Sequence, residues 1–378
     1  MGKHALLNAS SAHRWLTCPP LPRLENFFEK EASEVANEGT DAHRLSEYKL
    51  RKVLGEKVRK PKLKYFDKDM DNYTDDYVNY IVETIENIKK STKDPIVLIE
   101  QRLDFSNYVP DGFGTGDCII IADKILHIID LKYGRGVEVS AEENPQMMLY
   151  ALGALNIYDA LYDIDEVVMT IFQPRKYNIS SSKKSVEELK NWADTVLKEK
   201  AELAFNGLGV VTYGPWCQFS NCNVVLRARK DYHDKLMRFQ LCSPYLLNDA
   251  EIEEVLEHID DLVKWAGEIK EYATKITLEN DKEWSNYKLV EGRSIRKIKD
   301  EERVAEILKE NGYNDIYKTS LITLTELQKL LGRDKFNELL GDYIIKPEGK
   351  PVLVLKSDKR KEIVKHDVNK EFKVTEEK

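Results

Sequence analysis

The most informative stretch for the fold is GTGDCIIIADKILHIIDLKYG, residues 114–134. Two apolar runs within it, residues 117–122 and 125–132, have the length and β-branched content typical of strands. Only Asp123 and Lys124 separate the runs, so we predict a tight antiparallel hairpin, although this pair is not a favoured sequence for a primed turn.

The register of this hairpin brings charged side chains together. If Ala122 faces Ile125, then counting back places Asp117 opposite Asp130. Asp130 and Lys132 are two residues apart on one strand, so their side chains share a face. Facing carboxylates repel, at a cost on the order of 0.2–1 kcal/mol even when exposed. A divalent cation is the simplest compensation, and oxygen ligands favour Mg²⁺ or Mn²⁺. An isolated Asp-x-Lys is usually a surface ion pair, but here the apolar strands place the charges at the end of a buried hairpin.

Helices and strands alternate around the hairpin. Helical periodicity and capping signals predict helices at residues 34–54, 70–88, 144–158 and 185–207, and apolar runs predict further strands at 96–102 and 167–172. This order implies an α/β domain with a mixed sheet.

After about residue 245 the predicted elements are mainly helices. One long amphipathic helix is predicted over residues 252–276, shorter helices at 301–311, 323–331 and 334–340, a turn and short strand at 346–355, and a charged tail at 357–378. We therefore predict a first domain over residues 1–245 and a mainly helical C-terminal region over residues 246–378.

The overall composition argues for a globular protein. Hydrophobic residues make up 42% and charged residues 33%, and 58 basic against 66 acidic residues give a net charge of −8, which argues against non-specific coating of nucleic acid. No run approaches the roughly 18 apolar residues of a membrane span, and the N-terminus lacks a signal-peptide pattern. We expect a cytosolic protein with no membrane association. No Walker A or Gly-x-Gly-x-x-Gly run supports a nucleotide-binding enzyme.

Two helical pairs have the i,i+4 spacing that places side chains on one face. They are His43 with Glu47, and Gln146 with Tyr150. A lone helical histidine is more often structural than a metal ligand, and either pair alone would be ordinary helix surface.

Together these elements resemble a known family. The order Gly39, His43 and Glu47 on a helix, then Gly116-Asp117, Asp130-Leu131-Lys132, and Gln146-x-x-x-Tyr150 is similar to the RecB-like branch of the PD-(D/E)XK nuclease superfamily. Within that branch it most resembles an uncharacterised phage and prophage family. The resemblance covers roughly residues 1–245 and implies a restriction-endonuclease-like core, a mixed β-sheet flanked by helices.

The resemblance also implies roles for single residues. His43, Asp117 and Asp130, with the backbone carbonyl of Leu131, would coordinate a catalytic Mg²⁺ or Mn²⁺, and Lys132 would stabilise developing charge or orient the attacking water. Gln146 and Tyr150 would contact the DNA or support the site. Glu47 and Glu100 are given supporting positions only.

The implied function is a metal-dependent DNA nuclease, acting as an exonuclease in phage or prophage replication or recombination in the host cytoplasm. Local basic segments, residues 51–64 and 293–299, would follow the DNA backbone despite the negative net charge. A single-strand-binding or annealing protein is the implied partner, and an oligomer is compatible with it. Two alternatives remain open: a catalytically silent nuclease fold that serves as a DNA-binding or assembly module, and a structure-specific endonuclease.

The same resemblance raises the question of an iron–sulfur cluster. Several RecB-like nucleases hold one with a cysteine before the core and three after it; the candidate remaining ligands here are Cys18, Cys217 and Cys222. The pattern would place cysteines at Ser220 and Leu226, and four thiolates are usual for such a cluster. We favour a lost cluster, with Cys18 and Cys217 packed as small apolar residues.

Overall fold

The structure, a computed structural model, describes residues 5–28, 34–92, 94–235, 246–280, 282–288, 301–310, 323–340 and 343–344. Four helices precede the sheet: α1 (Ala12–Thr17), α2 (Leu21–Glu25), α3 (Glu34–Val53) and α4 (Lys68–Ile88). The strands are β1 (Ile96–Asp104), β2 (Phe113–Ala122), β3 (Ile125–Leu131), β4 (Glu166–Gln173) and β5 (Asn178–Ser185), with helix α5 (Pro145–Tyr162) between β3 and β4.

The remaining helices follow the sheet in sequence. They are α6 (Val186–Trp192), α7 (Lys198–Asn206), α8 (Arg227–Asp234), α9 (Asp249–Asn280), α10 (Glu301–Glu310), α11 (Leu324–Leu331) and α12 (Arg333–Leu340). A π-helical turn, Ala193–Leu197, joins α6 to α7. The predicted capping box at Ser185 begins α6, and Gly207 ends α7 with a φ of 69°.

The five strands form one mixed sheet in the order β1-β2-β3-β4-β5. All neighbours are antiparallel except β3 and β4, which are parallel and are connected through α5. The α/β class and the mixed sheet predicted from the sequence are therefore confirmed.

The central hairpin has the predicted register. Ala122 pairs with Ile125, and the pairing continues to Cys118 and Ile129, so the next step along both strands aligns Asp117 with Asp130. Asp123 and Lys124 have φ values of 45° and 65°. Positive φ at both central residues is the geometry of a type I′ turn, whose twist matches that of the flanking strands. The turn forms with a sequence that is not a preferred one for it.

Apolar clusters cover both faces of the sheet, which explains the continuous apolar runs of β2 and β3. On one face, Leu50 of α3 and Tyr77 and Ile81 of α4 pack against side chains that include Ile120 of the sheet. On the other face, α5 is buried in the larger cluster together with parts of α1, α6 and α7. The result is a three-layer arrangement with the sheet in the middle.

Strand β5 was not predicted. Its sequence NISSSKKS contains a single large apolar residue, Ile179, which is 54% exposed. The strand lies at the edge of the sheet and pairs only with β4 among the described strands. Edge strands need little apolar sequence, and the lysines here are typical of a protected edge.

The predicted C-terminal helices are present as α9 to α12. The chain divides into two compact units, residues 1–289 and 290–378. The boundary predicted near residue 245 falls at residues 236–245, outside the described residues, as do the predicted basic segment 293–299, the turn and strand at 346–355 and the tail at 357–378.

Helix α9 belongs to the first unit and is attached by a buried arginine. Arg229 of α8 is completely buried, and its guanidinium lies 2.7 Å from Asp261 and 2.6 Å from Glu268 of α9. The Trp265 indole also donates to the Val224 carbonyl at 2.8 Å. Among the described residues, no helix is long and apolar enough to cross a membrane.

Candidate metal centre

Three carboxylates lie side by side across three neighbouring strands. Glu100 of β1 is opposite Asp117 of β2, because the residues on either side of this pair are matched in the β1–β2 register. Asp117 is in turn aligned with Asp130 of β3 by the hairpin register. The tertiary structure thus extends the predicted pair of acids into a row of three.

Glu100 has an unusual backbone for a non-glycine strand residue. Its φ is 51°, in the left-handed region, and it interrupts the β1–β2 pairing. Such a conformation costs on the order of 1–3 kcal/mol and persists only where the surroundings hold it. The surrounding strand pairs therefore force the position that the Glu100 carboxylate takes.

Helix α3 adds a histidine to this row. His43 Nδ1 lies 3.2 Å from Asp117 Oδ1. His43, Glu100 and Asp117 each offer one ligand atom, and these three atoms lie within 4.8 Å of one another. An imidazole nitrogen with carboxylate oxygens at this spacing could hold a metal ion. Each of the three residues is half-buried.

The charged groups of this site shift one another's pKa values. Burial alone would lower the pKa of His43, but the charge and hydrogen bond of Asp117, with the charges of Asp130 and Glu100, raise that pKa to about 9. Burial and the neighbouring Asp117 raise the pKa of Glu100 to about 7. The carboxylates therefore attract cations and repel each other, which is the electrostatic condition that a bound cation relieves.

Asp117 is contacted by two donors, the Leu131 amide and the His43 imidazole. Its Oδ2 accepts a hydrogen bond from the Leu131 amide at 2.7 Å. Burial would raise the pKa of Asp117, but the charge and hydrogen bond of His43 and the Leu131 amide together hold it below its ordinary value. This carboxylate is the permanent anion of the site. The amide of Leu131 thus fixes Asp117, while a role for the Leu131 carbonyl stays a prediction.

Asp130, Lys132, Gln146 and Tyr150 form one hydrogen-bonded network beside the three ligand residues. Lys132 Nζ is 2.7 Å from Asp130 Oδ2 and donates to Gln146 Oε1 at 2.9 Å. The Gln146 amide donates to Asp130 Oδ1 at 2.9 Å and contacts the Tyr150 hydroxyl at 3.2 Å. The i,i+4 spacing of Gln146 and Tyr150 on α5 therefore serves to hold Lys132 and Asp130 in place.

Asp130 is the most buried acid in the site, with 3% of its surface exposed. Burial raises its pKa despite the nearby Lys132 charge. Oδ2 of Asp130 has no aligned hydrogen-bond donor, since the Lys132 ammonium approaches it only as an ion pair. The Lys132 ammonium therefore compensates the charge on this buried oxygen, beside the three ligand residues.

Gly114 explains how Tyr150 reaches this network. A Cβ atom at Gly114 would lie 2.8 Å from Tyr150 Cε1. Only a residue without a side chain lets the tyrosine ring pack this closely on β2. The Gly114-Thr115-Gly116-Asp117 stretch therefore makes room for the ring just ahead of the Asp117 carboxylate.

Glu47 and Arg51 of α3 are engaged with each other. Arg51 is 2.9 Å from Glu47 and 3.0 Å from Glu56, and it also donates to the Ile99 carbonyl at 3.0 Å. Arg51 therefore ties α3 to β1 beside Glu100 and is not available to contact a phosphate backbone.

The loop that follows α3 carries the exposed cations of the predicted basic segment. They are Lys57, Arg59, Lys60, Lys62 and Lys64, and Lys52 lies just before the loop, in the last turn of α3. None of them makes an ion pair within the described part of the chain. Asp41 of α3 holds the end of this loop by accepting hydrogen bonds from the Lys64 and Tyr65 amides at 2.7 and 3.0 Å.

The cysteines named as candidate cluster ligands pack together in an apolar cluster. Cys18, Cys217 and Cys222 are buried with Leu21 and Leu226. Within the described residues, the group in which three potential ligand atoms approach within 4.8 Å is His43, Glu100 and Asp117, not these thiols. Cys222 Sγ instead lies 3.2 Å from the Ser220 hydroxyl.

The structure brings every predicted site residue into one region except the cysteines. His43, Asp117, Asp130 and Lys132 are close together. Glu100 was expected only to support the site, but the structure places it among the three residues that could hold a metal ion. The signal that could have identified it is the β1–β2 register, which no short turn fixes because eight residues separate those strands.

The fold and site define an α/β protein whose mixed five-stranded sheet carries a His–Glu–Asp group able to hold a metal ion. The chain belongs to the DUF2800 family, described as a protein of unknown function, whose family model matches residues 4–361. A solved structure entitled "Crystal structure of SSO0001" is similar at 14% sequence identity, over 57% of this chain and 96% of that chain, with a TM-score of 0.24.

Proposed function

We propose that this protein is a metal-dependent DNA nuclease of the RecB-like PD-(D/E)XK type, with a restriction-endonuclease-like core. The observation that carries the proposal is the row of Glu100, Asp117 and Asp130 across three strands, flanked by His43 on one side and Lys132 on the other. Anionic ligands beside a positioned lysine are the arrangement that phosphodiester hydrolysis requires.

The cation would bind to His43, Glu100 and Asp117, with Asp130 adjacent. One imidazole among several carboxylates suits Mn²⁺ or Mg²⁺, which prefer oxygen ligands. When bound, such a cation supplies positive charge that polarises a phosphodiester and lowers the pKa of a water molecule.

Lys132 and its partners act on the substrate side of the site. Asp130 and Gln146 each contact the Lys132 ammonium, so its position is fixed before substrate arrives. From there the ammonium orients a water molecule or stabilises the charge that develops on the phosphate oxygens. Tyr150 limits the movement of Gln146 and so supports the same geometry.

The loop after α3 supplies a path for the DNA backbone. Its five exposed cations follow the helix that carries His43, and the last turn of that helix adds Lys52. Phe66 is 45% exposed at the end of this loop, and Lys60 lies over its ring. Cations interleaved with aromatic rings are typical of surfaces that bind single strands by backbone contact and base stacking.

The proposal is tested by incubating end-labelled linear DNA, single- and double-stranded, and a covalently closed circle with Mg²⁺ or Mn²⁺. We expect metal-dependent loss of the linear DNA, and a rate lowered at least on the order of 10²-fold in Asp117→Asn. Sparing of the circle identifies an exonuclease, and cutting of the circle identifies an endonuclease. DNA binding without cleavage under any metal would contradict the proposal and leave a binding module.

Replacing Lys132 separates the effect on catalysis from the effect on metal binding. In Lys132→Met we expect Mn²⁺ binding to persist while cleavage falls at least on the order of 10²-fold, because Lys132 is not a ligand. Lys124→Met is the matched control, since Lys124 lies in the hairpin turn and contacts Asp163. Equal cleavage by the two variants would remove Lys132 from the proposed mechanism.

A further inference from the structure

A small cavity is lined by the three ligand residues and by residues of helices α3 and α4 and of the sheet. Its lining includes His43, Glu100 and Asp117, together with Ser46 of α3 and Tyr77 of α4. The space open to the centre of a water molecule is about 10 Å³. That is close to the minimum for a single water molecule, which also needs two to four polar partners.

Two hydroxyl groups of this lining have no hydrogen-bond partner among the residues that the structure describes. Ser46 Oγ and Tyr77 Oη are both buried, each residue being 2% exposed, and neither bonds to another described residue. A buried hydroxyl left unsatisfied costs about 1–3 kcal/mol. Because both hydroxyls line the same small cavity, one water molecule there would satisfy both of them.

We propose that Ser46 and Tyr77 are positioning residues that hold one ordered water molecule against the carboxylates of Glu100 and Asp117. The inference rests on the metal centre of the proposed function, and it extends that centre inward. The two hydroxyls and one or two carboxylate oxygens give the water three or four partners, the number that buried waters usually make.

The chemistry of the cavity supports this arrangement. The rest of its wall consists of Glu47 and the apolar residues Leu50, Ile99 and Leu131. Burial, followed by the charges of Asp117 and Glu100 among its neighbours, raises the pKa of Tyr77 well above its ordinary value, so its hydroxyl stays a donor. Groups that orient metal ligands in this way typically alter metal affinity by 10- to 100-fold when removed.

The water constrains carboxylates that would otherwise turn away from each other. Glu100 makes no hydrogen bond or ion pair of its own to the described residues. A donor shared between Glu100 and Asp117 holds both in the orientation that receives a cation. The side of the site facing Lys132 and Gln146 is then left for the substrate.

The test measures Mn²⁺ affinity from the electron paramagnetic resonance signal of the free ion, and thermal unfolding in the presence of a chelator. The variants are Tyr77→Phe, Ser46→Ala and the double variant. We expect each single variant to bind Mn²⁺ on the order of 10-fold more weakly. Because one water joins both hydroxyls, the double variant should lose little more than either single variant.

Tyr80→Phe is the matched control. The rings of Tyr77 and Tyr80 both pack on Phe172, at 5.6 and 5.2 Å between centroids, but Tyr80 does not line the cavity. Its Mn²⁺ affinity should equal that of the unmodified protein.

The outcomes separate the two proposals. If the unmodified protein binds Mn²⁺ and both single variants bind it equally well, the positioning role is wrong and the metal centre stands. Fully additive losses in the double variant would also overturn the shared water. If the unmodified protein does not bind Mn²⁺ or Mg²⁺, the metal centre of the proposed function fails, and the inference falls with it.

Discussion

At the scale of single residues, the site depends on charges that oppose one another until a cation arrives. Glu100 shows this most clearly, because its backbone is held in a left-handed conformation beside an acid that is already ionised. The pKa of Glu100 is raised to about 7 by burial and by Asp117. The local structure therefore places a ligand carboxylate at a cost to the stability of the metal-free protein.

Replacing Glu100 tests its place among the ligands. In Glu100→Gln we expect Mn²⁺ affinity to fall at least on the order of 10-fold, the loss typical of even a supporting residue. The free energy of unfolding of the metal-free protein should stay equal or rise, because a repulsive charge is removed. Glu86→Gln is the control, an exposed residue of α4 paired with Lys89. Unchanged affinity in Glu100→Gln would exclude Glu100 as a ligand.

The pH dependence of metal binding follows from the same charges. A cation displaces protons from its ligands, and the raised pKa values of His43, about 9, and Glu100, about 7, mean that both carry protons in part or fully at neutral pH. Mn²⁺ affinity should therefore increase steadily as the pH rises through both of these values, with protons released on binding. Isothermal titration in buffers of different ionisation enthalpy measures that release. Affinity that falls or stays level over this range would contradict the assignment.

At the scale of elements, α5 connects the two halves of the sheet and contributes Gln146 and Tyr150 to the hydrogen-bonded network of Lys132 and Asp130. Residues 146–155 of this helix are buried, and Gln146 and Tyr150 belong to this buried part. Close approach to β1 is allowed by Gly153. A Cβ atom there would lie 2.9 Å from Leu103 Cβ and 3.4 Å from the Asp104 amide nitrogen.

Gly153→Ala should therefore destabilise the protein, by about 1–3 kcal/mol for an overpacked contact. Gly39→Ala in α3 is the matched control, because a Cβ atom there meets nothing within 4 Å. That second change should stabilise the helix by about 0.5–1 kcal/mol, since alanine has the higher helix propensity. Urea unfolding measures both values. Stabilisation by Gly153→Ala would show that α5 has room to move away from β1.

At the scale of the whole molecule, the first compact unit extends through α9, beyond the boundary predicted near residue 245. Arg229 explains the attachment, since a completely buried guanidinium needs the two carboxylates that α9 supplies. Tyr213 contributes a further hydrogen bond, donating to Asp261 at 2.7 Å.

Truncation tests where the unit ends. A fragment of residues 1–245 would lack both partners of Arg229, whereas a fragment of residues 1–289 would keep them. We expect the shorter fragment to be less stable by on the order of 2 kcal/mol or more, because a buried charge loses its partners and apolar contacts are lost with α9. Urea midpoints of the two fragments give the comparison. Equal stability would place the boundary at residue 245 after all.

Elements whose causes are local could be predicted from the sequence alone. The central hairpin followed from two apolar runs and a two-residue connection, and its register placed Asp117 opposite Asp130 without further information. The long helices followed from their periodicity and their capping residues, which act within a few positions along the chain.

The features that depend on contacts between distant segments could not be predicted from local patterns. Glu100 became a ligand candidate because strand pairing, not a short turn, sets its neighbour. His43 was predicted as a ligand from the family resemblance, but its 3.2 Å distance to Asp117 depends on how α3 packs beside the sheet. Strand β5 is polar and exists through its pairing with β4. Arg229 and Asp261, which are 32 positions apart in the sequence, are hydrogen-bonded to each other. Long-range contacts of this kind gain their energy from burial and charge in the folded state, which no local pattern records.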